Sequence, residues 1–105
     1  MQNKAQILER IKNSVKETAP DATLILYGSY ARGDEREDSD IDLLVLVSEE
    51  KLTRENEIKI KYPLYDIETD TGIIISPLVL PRNTWITRHR ITPFYENVGK
   101  EGIVL

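Results

Sequence analysis

Residues 28–47 begin with Gly28-Ser29-Tyr30-Ala31-Arg32-Gly33, pass through a charged stretch from Asp34 to Asp38, and continue as Ser39-Asp40-Ile41-Asp42-Leu43-Leu44-Val45-Leu46-Val47. The last seven residues form a nearly continuous apolar run, the pattern of a strand covered on both faces. Asp42 is the only charged residue in it. Just upstream, Ala22-Thr23-Leu24-Ile25-Leu26-Tyr27 is short, β-rich and stopped by Gly28, and reads as a central strand. Two buried strands joined by a polar loop therefore set the fold class.

On the N-terminal side, Ile7, Leu8, Ile11 and Val15 recur at helical spacing among polar residues, which predicts an amphipathic helix over 5–15 ended by Pro20 and Asp21. On the C-terminal side, Ile58 to Tyr62 alternates like a strand, while Ile60, Leu64 and Ile67 keep helical spacing. A helix interrupted or kinked near Pro63 is the preferred reading, closed by Gly72. Ile73 to Leu80 reads as a third strand, with Pro77, which lacks an amide donor, placing that part at an edge or bulge. Asn83 or Thr84 is expected to cap a short helix carrying Trp85 and His89, and Thr92-Pro93 to start another. The tail from Phe94 to Leu105 should pack back on the sheet. The order of elements predicts one domain over 1–105 of the α/β (α+β) class, a small mixed sheet of three to five strands flanked by helices.

Composition narrows the chemistry. The chain has 105 residues, 40% of them hydrophobic, and a net charge of −4. That size suits one core, and the negative balance disfavours nucleic acid or an anionic membrane as the main ligand. With no cysteine, disulfides, thiol catalysis and thiolate-bound zinc are excluded. The polar N-terminal stretch reads as neither signal peptide nor membrane span, so a cytoplasmic location is expected.

Asp40 and Asp42 lie two residues apart at the entry to a strand, so in extended backbone both side chains point to one face. Two adjacent carboxylates repel unless a cation supplies positive charge, and hard oxygen ligands favour magnesium or manganese over zinc. Gly28 allows close approach of a ligand to the backbone, and Ser29 offers a hydroxyl at the start of a turn with free amides, a place suited to phosphate oxygens. Together these residues describe a nucleoside triphosphate held between Gly28-Ser29 and a divalent cation on Asp40 and Asp42, and in-line displacement at phosphorus as the reaction.

Competing readings fail on particular residues. Asp38, Asp40, Asp42 and Glu49 match four places of a calcium loop, but the place that requires glycine is Leu43 and the loop interior is a hydrophobic strand. No Gly-Lys-Ser or Gly-Lys-Thr follows Gly28 or Gly33, which removes a Walker-type loop. Arg32 and Arg36 are candidates for phosphate or for pairing with neighbouring acids. His89, four residues after Trp85, reads as a surface or packing residue. Trp85, Phe94 and Tyr95 read as core or interface anchors, and Tyr30 as a candidate to stack on a base.

The run Gly28-Ser29-Tyr30-Ala31-Arg32-Gly33 followed by Ser39-Asp40-Ile41-Asp42 and an apolar strand resembles the signature of the DNA polymerase β-like nucleotidyltransferases, and is especially similar to the minimal nucleotidyltransferases of prokaryotes. The motif covers about 15 residues, and its order, spacing and flanking strands agree. The resemblance implies that Gly28 and Ser29 hold the triphosphate and that Asp40 and Asp42 are catalytic and bind Mg2+ or Mn2+. It implies a nucleotidyl group, adenylyl from ATP, moved to a hydroxyl of a protein or small molecule, with a HEPN-type partner protein supplying the acceptor as in toxin–antitoxin pairs. A homo-oligomer is also open. Relatives carry a third carboxylate on a later strand; here Ile73 to Leu80 offers Ser76 instead, and Asp66, Glu68 and Asp70 are the nearest acids. A binding module that retains the nucleotide pocket and acts by contact, as an antitoxin or regulatory subunit, is the alternative.

Overall fold

The computed structural model describes residues 3–105. Five helices and four strands follow in the order α1 (Lys4–Thr18), β1 (Thr23–Tyr27), α2 (Ser29–Arg32), β2 (Ile41–Val47), α3 (Arg54–Thr71), β3 (Ile75–Pro81), α4 (Arg82–Arg88), α5 (Pro93–Glu101) and β4 (Ile103–Val104). The strands form one mixed sheet in the order β3-β2-β1-β4, with β2 parallel to β3 and β1 antiparallel to both β2 and β4.

Strand alternation sorts the core onto two faces. Ile41, Leu43, Val45 and Val47 of β2 pack with Ile7, Ile11 and Val15 of α1 and with Ile60, Leu64 and Ile67 of α3. Leu44 and Leu46 point the other way, against Trp85 of α4 and Val98 of α5. The sheet is thus sandwiched between two helical layers. That explains the unbroken apolar run of β2, whose Leu43, Leu44 and Val45 are fully buried.

The helix ends follow local chemistry. Asn3 accepts from the Gln6 amide while the Gln6 side chain accepts from the Asn3 amide, a reciprocal cap at the start of α1. Thr92 Oγ1 accepts from the Tyr95 amide at 3.1 Å with Pro93 in the first turn, as the sequence predicts. The tail returns to the sheet through β4, and the Leu105 amide donates to the Leu24 carbonyl. Pro77 lies on β3, an edge strand.

Three expectations are corrected. The helix around Pro63 is continuous from Arg54 to Thr71. One lost hydrogen bond and the ring's clash cost about 3 kcal/mol, whereas burying Ile60, Leu64 and Ile67 on either side of the proline returns roughly 1.5–3 kcal/mol each. Neither Asn83 nor Thr84 caps α4, because β3 runs through Pro81 directly into Arg82 and the helix starts without a side-chain cap. The third strand begins at Ile75, two residues later than the apolar run suggests. The Glu68 carboxylate accepts from the Ile75 amide at 2.8 Å and fixes that start.

Candidate active site

The two central strands meet at one end of the sheet, where the register sets Tyr27 opposite Asp42. Gly28 follows at φ +74°, a conformation that side chains rarely adopt. A Cβ at this position would collide with Oδ2 of Asp42. The glycine therefore lets the backbone turn and leaves room for the carboxylate beside it.

Ser29 opens the single turn α2, in which the Ala31 and Arg32 amides both donate to the Gly28 carbonyl at 3.1 Å. The Ser29 and Tyr30 amides come first in the turn and have no acceptor within it. The loop that follows is pinned rather than loose. Lys4 Nζ reaches Glu35 Oε1 at 2.6 Å and the Tyr30 carbonyl at 3.2 Å, and Ser39 Oγ accepts from the Arg36 amide at 2.8 Å. Asp40 ends this loop, immediately before β2, and is partly exposed.

Asp42 shares its sheet face with Leu44 and Leu46, the face covered by α4 and α5. The pKa of its carboxyl is raised from its ordinary value, first by burial and then by the charge of Asp40, with Arg32 opposing. The pair predicted from spacing is therefore close enough to interact. Across the sheet the Tyr27 phenol is raised in turn, by burial and then by Asp42. On the other flank the parallel register places Ser76 of β3 opposite Asp42.

Arg32 closes the site toward α5. Its Nε donates to Asp34 Oδ2 at 3.1 Å, and its Nη1 lies 3.1 and 3.2 Å from the two carboxylate oxygens of Glu101. Tyr27 packs edge-on against Phe94 at 5.3 Å, so α5 is tied to this end of the sheet by a ring contact as well as by charge. Sequence reasoning missed Tyr27 and Glu101. Tyr27 had a local signal, its place next to Gly28 at a strand end. Glu101 had none, since 69 positions separate it from Arg32.

Other expected residues lie elsewhere. Tyr30 is buried in the core between the sheet and α1 and α3, with Lys4 Nζ 5.7 Å from its ring centroid, so it does not face Asp42 and is not available to stack on a base. Trp85 is buried, and His89 stacks on it at 5.6 Å, a packing role. Asp66, Glu68 and Asp70 are all on α3, whose buried stripe covers the sheet face opposite to that of Asp42. Asp66 is exposed, Glu68 holds the Ile75 amide and Asp70 pairs with Arg10 at 3.0 Å.

The sequence model of the nucleotidyltransferase domain matches residues 8–86, from within α1 to within α4, which include Gly28, Ser29, Asp40, Asp42 and Ser76 and leave out Lys4, Phe94 and Glu101. The chain belongs to the nucleotidyltransferase family. A protein of Methanocaldococcus jannaschii provisionally named a protein adenylyltransferase is 38% identical over 77 residues, covering 70% of this chain and 76% of its own length. A second protein of that organism with the same provisional name is 42% identical over 40 residues, 38% of this chain and 46% of its own length. Among solved structures, one described provisionally as a minimal nucleotidyltransferase superposes with a TM-score of 0.66 at 26% identity, covering 99% of this chain and 97% of its own. A toxin–antitoxin crystallised with AMP-PNP superposes with a TM-score of 0.65 at 20% identity over 91% of this chain and 69% of its own, which shows a shared fold.

As ligands for a cation, the side chains gathered at this end of the sheet offer oxygen donors. Two neighbouring carboxylates, with space kept open by Gly28, fit a hard divalent cation. Among the described residues no group of three or more His, Cys, Asp or Glu is arranged to hold a metal ion. None of the described helices is long and apolar enough to cross a membrane.

Proposed function

We propose that this chain transfers an adenylyl group from ATP to a hydroxyl of a partner protein, dependent on Mg2+ or Mn2+. The observation that supports the reading is the carboxylate of Asp42 lying against Gly28 at one end of the sheet, with the charge of Asp40 acting on it. Gly28 and Ser29 would receive the triphosphate through the open turn amides and the serine hydroxyl. Asp40 and Asp42 would hold the cation, which when bound supplies charge stabilisation at the phosphates. The acceptor oxygen forms a bond to the α-phosphorus, the bond to the bridging oxygen breaks, pyrophosphate leaves and the hydroxyl proton passes to solvent or to a carboxylate. The relatives' provisional names support the adenylyl group and the protein acceptor. The fold shared with a toxin–antitoxin supports a partner, read here as HEPN-type and cytoplasmic.

The test is mass spectrometry of a HEPN-type partner protein after incubation with this chain, magnesium and ATP. One or more added adenylyl units, lost with Asp42→Asn, support transfer. A tight complex with no added mass supports the second reading, a binding subunit. The observation favouring that alternative is Ser76 opposite Asp42, where an acid would have served as base.

A further inference from the structure

The loop that leads to Asp40 is held from outside its own segment, by the first residue of α1. Residues 34–40 carry five carboxylates, on Asp34, Glu35, Glu37, Asp38 and Asp40, against the single guanidinium of Arg36. Such a run repels itself and spreads unless cations gather it. Arg32 takes Asp34 from two positions away, a local contact that moves with the loop. Lys4 takes Glu35 from 31 positions away, at 2.6 Å. The same ammonium donates to the Tyr30 carbonyl of α2 at 3.2 Å and lies 5.7 Å from the Tyr30 ring centroid. One lysine thus ties the loop and the turn after Gly28 to α1, whose Ile7, Ile11 and Val15 are set in the core. Lys4 precedes residues 8–86, so the family match does not rest on it.

A pair as exposed as Lys4 and Glu35 contributes little to folding. Its effect on a site is separate, because a ligand binds only those molecules whose loop is in place, and a looser loop lowers the apparent affinity by that fraction. We propose that Lys4 is a positioning residue: it holds Glu35 and the Tyr30 carbonyl so that Asp40 and the Ser29 turn stay in place for a divalent cation and a triphosphate, and it touches neither ligand. The inference rests on the metal and nucleotide reading above and adds a residue on which that site depends.

The test is isothermal titration of the full chain with Mn2+, and separately with a non-hydrolysable ATP analogue in Mg2+. The proteins are the wild type, Lys4→Met, Lys4→Arg, Glu35→Gln and the double variant Lys4→Met/Glu35→Gln. Lys4→Met and Glu35→Gln should each weaken both ligands by about threefold to fivefold. The double variant should be no weaker than either alone. Lys4→Arg, which keeps the charge and the donors, should stay within about twofold of wild type, and all should melt near the wild-type temperature. Charge alone gives a different pattern: losing the cation at residue 4 strengthens Mn2+ binding, and losing the anion at residue 35 strengthens binding of the analogue. Either gain, or unchanged affinities for both ligands, would overturn the inference. So would a Lys4→Met protein that binds the analogue alone more weakly while Glu35→Gln binds it normally, which would make Lys4 a phosphate ligand. A wild type that binds neither Mn2+ nor the analogue overturns this role and the site reading together. The expected affinities without adenylyl transfer leave the role of Lys4 in place and remove only the activity.

Discussion

Gly28 and Asp42 exclude one another's bulk: the space a Cβ would take at residue 28 is held by the carboxylate of residue 42. The glycine serves both its own left-handed φ and the position of a side chain on the neighbouring strand. Gly28→Ala should therefore act twice. The strained backbone and the collision should cost about 1–3 kcal/mol of stability, read by thermal or urea unfolding. Because relief of the collision moves Asp42, Mn2+ binding should fall by far more than the stability loss accounts for. A folded Gly28→Ala protein with wild-type Mn2+ affinity would contradict this coupling.

Asp42 should be a residue that the empty protein holds at a cost. Burial and the charge of Asp40 raise the pKa of its carboxyl from its ordinary value, so folding disfavours its charged form. The unfolded chain releases this proton at a lower pH than the folded one. The residue's contribution to stability is thus whole below the unfolded value and is lost as pH rises through the folded one. Asp42→Asn, which never ionises, is expected to melt above the wild type at pH 7 without metal, by up to about 4 °C given its partial exposure. The gap should narrow on acidification through the folded value and close below the unfolded one. Mn2+ should erase or invert it in the wild type alone. Calorimetric scans of both proteins at several pH values, with and without Mn2+, check each step.

Much of this arrangement was legible in the sequence, and what was not has a physical reason. The apolar run of β2 announced a strand with helices on both sides, and the two-residue spacing of Asp40 and Asp42 put two carboxylates within reach of each other's charge. These are local periodicities, and each is read from a few adjacent residues. The continuity of α3 through Pro63 was hidden because it depends on what Ile60, Leu64 and Ile67 meet on the sheet. The face taken by Tyr30 was hidden for the same reason, as it is decided by α1 and Lys4. Ser76 could be noticed as the polar residue of β3, but its position opposite Asp42 depends on the parallel register with β2, which no local pattern encodes. The Arg32–Glu101 pair is a still longer-range contact.

Glu68 separates a structural acid from a catalytic one. Its carboxylate accepts from the Ile75 amide at the start of β3 and lies on the helix that covers the face away from Asp42. Glu68→Ala should leave that amide without its partner and lower stability by about 1–2 kcal/mol, while the Mn2+ affinity of the folded protein stays within about twofold of wild type. A fall in Mn2+ affinity well beyond twofold would instead make Glu68 a ligand. Unfolding curves and the same Mn2+ titration distinguish the two.

Arg32 is placed to exchange one set of anions for another. Its guanidinium is exposed, bonded to Asp34 and Glu101, and close enough to Asp42 to lower that group's pKa. Exposed pairs of this kind contribute little to folding, so Arg32→Ala should melt near the wild-type temperature. A triphosphate arriving at the Gly28-Ser29 turn would compete with both carboxylates for the same fork of donors, which suits phosphate oxygens. Arg32→Ala is then expected to weaken binding of a non-hydrolysable ATP analogue by about tenfold. Glu101→Gln, which removes a competing charge and leaves Arg32 in place, should strengthen it. Isothermal titration of the two variants decides: a Glu101→Gln protein that binds the analogue more weakly would show that Glu101 orients Arg32 for the phosphates and does not compete for it.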